Sequence, residues 1–342
     1  MTKWKQRICL QERSHSKDIY ECRIADVFVD GQHVAELLSQ RAGDTATVEN
    51  TYSPLAKGII MSVQLHIRDG NPYWYLSPDI WVVPGNDPSA SPDNPIAGQT
   101  AYLWAHVANI GSSDANGVRV DFYWANPALQ VTRSNATLVG SAFADVPAHG
   151  TQDALCLVPW TPIIVNAGHE CLIAVANHAG NPLPSPLPDA FDPLTYPQVA
   201  QKNLTVLVAS MHAATLSITI SGLQRVDQSV IVTTAIGGEL DAGTLASLGL
   251  RGLQPAKVPA VEVGLNRERH CVGDKDPIGK SKIELHVPRG TSAAVHVTVR
   301  AKHLAENEYQ LVQVMEWSKD KALGGLGLVV VSKKTDKKEK QS

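Results

Sequence analysis

Two histidines carry the sharpest chemical pattern in the chain. His286 and His296 flank Pro288-Arg289-Gly290-Thr291, a turn signal between apolar runs at 282–287 and 294–300. If those runs form a hairpin centred on residue 291, the imidazoles oppose each other with Cβ atoms ~5 Å apart. Alternation turns Leu285, Val287, Val295 and Val297 inward and both histidines outward. Such a pair could bind a metal or titrate near neutral pH. It lacks a third ligand, since Glu284 is only a diagonal neighbour, so a solvated pair on an exposed face is the plainer reading.

A second candidate is the polar stretch 267–276. It holds His270 beside Cys271, and Asp274 near Asp276. A cysteine nucleophile needs a base held by a third group. Adjacent residues on an extended chain point to opposite sides, which argues against that use. The two aspartates are too few for a calcium loop, and Lys275 and Lys280 oppose a cation. His169-Glu170 lacks the second histidine of a zinc-protease helix. No serine sits in a G-x-S-x-G elbow, and Gly237-Gly238 and Gly324-Gly325 lack the Lys-Ser/Thr of a phosphate loop. The five cysteines are widely spaced, with no C-x-x-C pair, so neither a disulfide framework nor a zinc ribbon is expected. Cys156 and Cys171 lie in apolar runs and read as small buried hydrophobes. No catalytic residue and no cofactor is assigned.

Two groups of residues suit binding better than catalysis. Tyr73, Trp74, Tyr75 and Trp81 form an aromatic cluster. These rings pair apolar faces with polar tips, so they could make a carbohydrate or peptide platform. The competing reading is a plug buried between segments. Residues 181–197 contain six prolines, among them Pro184, Pro186 and Pro188. Missing amide donors place this stretch outside any ladder. A partly preorganised loop loses less entropy on binding, which favours a contact surface. A stiff crossover between domains fits equally well.

The elements that must position these residues read as strands. With 44% hydrophobic and 18% charged residues, the 342-residue chain is globular and long enough for two or three domains. Its net charge of −3 excludes the basic surface of a nucleic-acid binder. No apolar run reaches membrane-spanning length, and the first ten residues lack a secretory leader. Cytoplasmic placement is therefore the default expectation, with leaderless export by a specialised route left open.

Four segments are expected. Residues 1–76 form a small, mostly-β segment packed on the next domain, with strands at 24–29 and 59–67 and a short helix at 32–40. Residues 77–209 carry alternating runs at 100–107, 118–124, 138–146, 154–160, 170–176 and 203–209, which describe a β-sandwich. The run 100–107 reads as an inner strand with a large aromatic, Trp104. Residues 210–332 hold seven further strand-like runs, spaced as in a second sandwich, and a short helix near 239–248 with Asp241 as N-cap. The tail 333–342, KKTDKKEKQS, is expected to be disordered. The fold class is thus all-β, with tandem immunoglobulin-like sandwiches.

Residues 78–207 resemble CARDB, the cell-adhesion-related domain found in bacteria. The resemblance lies in Pro78-Asp79-Ile80, in Gly98-Gln99 leading to Asn109-Ile110-Gly111, and in Phe122-Tyr123. It continues in Val146-Pro147-Ala148-His149-Gly150, Val158-Pro159-Trp160 and the closing Asn203. It implies an immunoglobulin-like sandwich serving adhesion or recognition. These are turn and core positions, specific for fold and poor for function. The chain departs from the family at Gln198-Val199-Ala200-Gln201-Lys202, where the family closes with acidic and Asn-rich residues. That departure speaks against an acidic cation site.

The expected function is non-enzymatic recognition or scaffolding, binding a protein or glycan through loops or sheet edges. A homo-oligomer is compatible with it. The alternatives are a structural accessory of a secretion or phage-like apparatus, and a hydrolase or metal enzyme using the 266–276 loop or the histidine pair.

Overall fold

The computed structural model describes residues 28–29, 32–33, 62–163, 171–209, 213–269 and 276–332. The chain divides into two units, residues 1–58 and 59–342. In the first, β1 (Phe28–Val29) pairs antiparallel with β2 (Gln32–His33). The helix expected from residue 32 therefore does not begin there, and the rest of it lies outside the described residues.

The second unit holds two β-sandwiches. In the first, β3 (Leu65–His66), β4 (Ile80–Pro84), β5 (Ala101–Asn109) and β8 (Gly150–Trp160) form one sheet, with β5 at its centre. The facing sheet runs β10 (Val199–Lys202), β9 (Cys171–Asn177), β6 (Ala115–Ala125) and β7 (Ala136–Val146). Period-two alternation drives this packing. On β5, Ala101, Leu103, Ala105 and Val107 are fully buried, while Tyr102, Trp104 and His106 are half-buried on the other face. The strand is an inner one, as its sequence suggests, but its large aromatic, Trp104, faces away from the core. Its parity is that of His106, not of Leu103. Val63, Leu65 and Ile67 join this same core.

The second sandwich packs a three-strand sheet against a larger one. The smaller sheet is β12 (Ala214–Ser221), β17 (Ser292–Ala301) and β15 (Val261–Asn266). The larger runs β11 (Leu204–Ala209), β19 (Lys321–Ser332), β18 (Glu308–Ser318), β13 (Gln228–Ile236) and β16 (Lys282–Val287), and β14 (Gln254–Pro255) pairs with β18. Helix α1 (Ala242–Ser247) packs Leu245 against the outer face of this sheet, near Tyr309 and Leu311. Asp241 caps it, accepting from the Thr244 amide at 2.9 Å, as its sequence position predicts.

The two sandwiches share one strand path. β10 ends the first and β11 begins the second, with Asn203 between them. Asn203 Nδ2 donates to the carbonyls of Ala128 and Gly325, at 2.8 and 2.6 Å. A loop of the first sandwich leans into the second, so that Leu129 is buried in the second core. A Cβ on Gly324 would overlap the Leu129–Gln130 backbone, so only glycine permits this close approach.

Candidate recognition surface

The outer face of the sheet formed by β3, β4, β5 and β8 gathers side chains that neither core uses. Cross-strand register sets them in rows. Trp81 on β4 lies opposite Trp104 on β5, and Leu155 on β8 completes that row. The two indoles are parallel within 8°, with ring centroids 5.9 Å apart. Trp104 Nε1 donates to the Pro88 carbonyl at 3.0 Å, which fixes the indole against the loop after β4. The next row along β4 and β5 is Val83 and Tyr102, and Val83 is buried although it faces outward.

The row on the other side is polar. His106 lies opposite Asp153, and its Nδ1 is 2.6 Å from Asp153 Oδ1. The His106 amide donates to the Asp79 carbonyl. The buried Asp79 carboxylate accepts from the Arg68 guanidinium (Nη2 at 2.6 Å, Nε at 3.1 Å) and from the Arg68 amide at 3.0 Å. This fork raises the Arg68 pKa above its ordinary value, mainly through the hydrogen bond to Asp79. The Arg68 side chain is 62% exposed, and those of His106 and Asp153 are 35% and 48% exposed.

The aromatic cluster of the sequence splits in two. Tyr75 is a plug: it is 1% exposed, its hydroxyl donates to Gln313 Oε1 at 3.2 Å, and its ring lies where a Cβ on Gly325 would be. Burial raises its pKa. Trp74 meets Tyr75 edge-on at 5.6 Å, and half-buried Tyr73 packs beside α1. Only Trp81 stands on the sheet face. Its partner Trp104 escaped the sequence reading, although the shared parity of Tyr102, Trp104 and His106 was a usable signal.

The Pro-rich stretch is strapped over the outer face of the other sheet. Phe191 is buried against Tyr123, at 5.1 Å between centroids, and the Arg133 guanidinium covers its ring at 4.3 Å. Arg133 Nε also donates to the Pro188 carbonyl, and the Phe191 amide to the Val131 carbonyl. Pro184 and Pro186 are exposed, whereas Pro188 is half-buried. The free contour of this loop is its tip, not its length.

His286 and His296 are not brought together. β16 pairs with β13, setting His286 opposite Ser229, whereas β17 pairs with β12 and β15 in the other sheet. His296 Nδ1 lies 2.9 Å from Ser217 Oγ. Residues 288–291 form an arch between sheets and not a hairpin. Val287 and Val295 both face the shared core, so the outward histidines lie on opposite surfaces. Among the described residues no three metal-ligating side chains stand together. His270, Cys271 and Asp274 lie outside the described residues. A groove of about 420 Å³ is lined by Leu265, Arg267, Lys280, Lys282 and Glu284. Lys282 pairs there with Glu284 at 3.0 Å. Cys156 and Cys171 are buried, as expected, and belong to different apolar clusters. Among the described residues no helix is long and apolar enough to cross a membrane.

No protein-family model and no curated protein matches the chain. Similar solved structures include the CARDB domain of a Pyrococcus furiosus protein, determined in complex with di-metal ions. It is 14% identical, covers 42% of this chain and 91% of its own, and has a TM-score of 0.25. The CupB6 tip adhesin of Pseudomonas aeruginosa is 9% identical and covers 81% of this chain and 99% of its own, with a TM-score of 0.22. The CfaE adhesin of enterotoxigenic E. coli, in a mutant form, is 7% identical and covers 79% and 93%, with a TM-score of 0.21. The resemblance of residues 78–207 to CARDB is thus met again among solved structures.

Proposed function

We propose that this chain is a non-enzymatic recognition module of the adhesion type, with the outer face of the first sandwich as its binding surface. The observation that carries this reading is the parallel Trp81–Trp104 pair. Two half-buried indoles lie on a sheet face, outside both cores, beside exposed charged side chains. Large rigid aromatics supply contact area at little entropic cost. The second sandwich serves as a mount, coupled to the first through Asn203, Tyr75 and the Leu129 loop. Rigid support is what such a face requires.

The test is retention on an array carrying both peptides and glycans. Trp81→Ala and Trp104→Ala should abolish retention while the melting temperature changes little. Retention unaffected by either substitution would refute the assignment of the face.

A second reading is a self-assembling scaffold. Phe143 and Leu157 are 72% and 73% exposed on β7 and β8. Among the described residues these strands pair only with β6 and β5 respectively, so both are sheet edges. Sedimentation of wild type against Phe143→Lys separates the readings: a mass that falls with the substitution favours assembly.

A further inference from the structure

The recognition reading leaves the ligand class open, and the chemistry of the face narrows it. We propose that the Trp81–Trp104 face binds a neutral saccharide, one pyranose ring packing on an indole of the stacked pair while its hydroxyls reach the polar row beside it; this rests on the recognition reading above.

Three features of the face point to that ligand. First, it offers side chains and no backbone. β5 is hydrogen-bonded to β4 and β3 on one side and to β8 on the other. An extended peptide that binds by strand addition needs a free ladder, which the centre of this sheet does not have. Second, the apolar and polar rows stand at the spacing of alternate residues. Trp104 and His106 are two residues apart on one strand, hence about 7 Å apart along it. A flat ring with C–H groups on its face and hydroxyls on its rim meets both rows at once. Its polarised C–H groups face the negative π-cloud of the indole. Third, the polar row mixes donors with acceptors. Arg68 and His106 can donate, and Asp153 can accept. With His106 Nδ1 committed to Asp153, Nε2 is the nitrogen left for a ligand hydroxyl. Arg68 is matched by Asp79, and His106 by Asp153. A polyanion finds no surplus positive charge in this row, whereas an uncharged polyol uses donors and acceptors alike.

The experiment titrates the full chain with neutral hexasaccharides of β-1,4-linked glucose, mannose and N-acetylglucosamine. Tryptophan fluorescence and calorimetry are the readouts, with heparin and a Trp/Pro-rich decapeptide as competing ligand classes. At least one hexasaccharide should bind with Kd in the ~mM range or tighter and perturb the indole emission. Trp104→Ala should weaken it about tenfold or more, as expected for losing one stacking partner. Asp153→Asn changes an exposed side chain with little risk to folding. It should weaken binding several-fold while leaving the emission change of the remaining complex intact. No binding by any hexasaccharide at ~10 mM, or binding unaffected by both substitutions, overturns the saccharide proposal. Trp104-dependent binding of the decapeptide alone also overturns it, but leaves the recognition reading standing. Binding of none of the probes counts against both.

Discussion

Glu316 is the most informative residue to perturb. It lies on β18, fully buried where the two sandwiches meet. Its Oε2 accepts from the Gln130 amide at 3.1 Å, while Glu316 Oε1 and Gln130 Oε1 are buried without partners among the described residues. Burial raises the carboxyl pKa from 4.5 to about 7, only partly opposed by the Gln130 hydrogen bond. Between those values the unfolded chain has released its proton and the folded chain retains it. The folded state then binds more protons, so stability falls as pH rises through this window. The gap, at ~1.4 kcal/mol per pH unit, makes the loss about 3 kcal/mol. It is absent below pH 4.5 and complete above pH 7. Glu316→Gln keeps the shape, removes the titration and supplies a donor that can reach toward Gln130 Oε1. The variant should come within about 1 kcal/mol of wild type near pH 5 and exceed it by about 3 kcal/mol near pH 8. Urea unfolding at pH 5, 6, 7 and 8 measures this directly. Parallel pH profiles for the two proteins would refute the reasoning, because the penalty would then not reside in this carboxyl.

Three further perturbations test the same architecture. Lys202 is buried, with Nζ donating to the Ile80 carbonyl at 2.9 Å and to Ser247 Oγ at 3.2 Å, and burial lowers its pKa to about 8. From there to 10.5 the unfolded chain holds the extra proton, so stability should rise with pH, and Lys202→Met should flatten that rise in alkaline unfolding curves. Gly325→Ala places a methyl in the Tyr75 ring and should cost about 1–3 kcal/mol by thermal unfolding, an effect relieved by Tyr75→Leu in a double-mutant cycle. Phe191→Ala should cost about 3–5 kcal/mol and make residues 184–187 a site of rapid limited proteolysis, whereas Leu187→Ala at the exposed tip should do neither.

How much of this protein is legible in its sequence depends on how far each signal reaches along the chain. Alternation is local, so the strands at 118–124, 282–287 and 326–332 were legible, as was the cap at Asp241. Sheet membership is not local. Residues 288–291 carry the same turn chemistry whether the chain doubles back within a sheet or arches across to the facing one. In both cases Val287 and Val295 stay inside. Only the partners of β16 and β17, which are β13 and β12, decide that His286 and His296 part company. The pairing of Trp81 with Trp104 was hidden for a related reason. A tryptophan within an apolar run reads as core, and only the strict parity of Leu103, Ala105 and Val107 puts Trp104 outside. The Tyr73–Tyr75 cluster was ambiguous because the same ring types serve plugs and platforms. Glycine at 325 resolves it, since the space it leaves is filled by Tyr75.

The polar groups at the junction argue that the two sandwiches are docked in one orientation. An apolar interface can slide by a residue at modest cost, because one methyl replaces another. Asn203 cannot slide. Its amide meets the Ala128 and Gly325 carbonyls, and the Cys171 thiol lies 3.0 Å from its Oδ1. Any shift strands buried donors and acceptors, at roughly 1–3 kcal/mol each. The parallel pairing of β11 with β19 fixes the same register through the backbone. Lys202 carries the constraint to the Trp81–Trp104 face, since the carbonyl it holds belongs to Ile80, the residue before Trp81. A disturbance at the junction should therefore reach the indole pair through one strand.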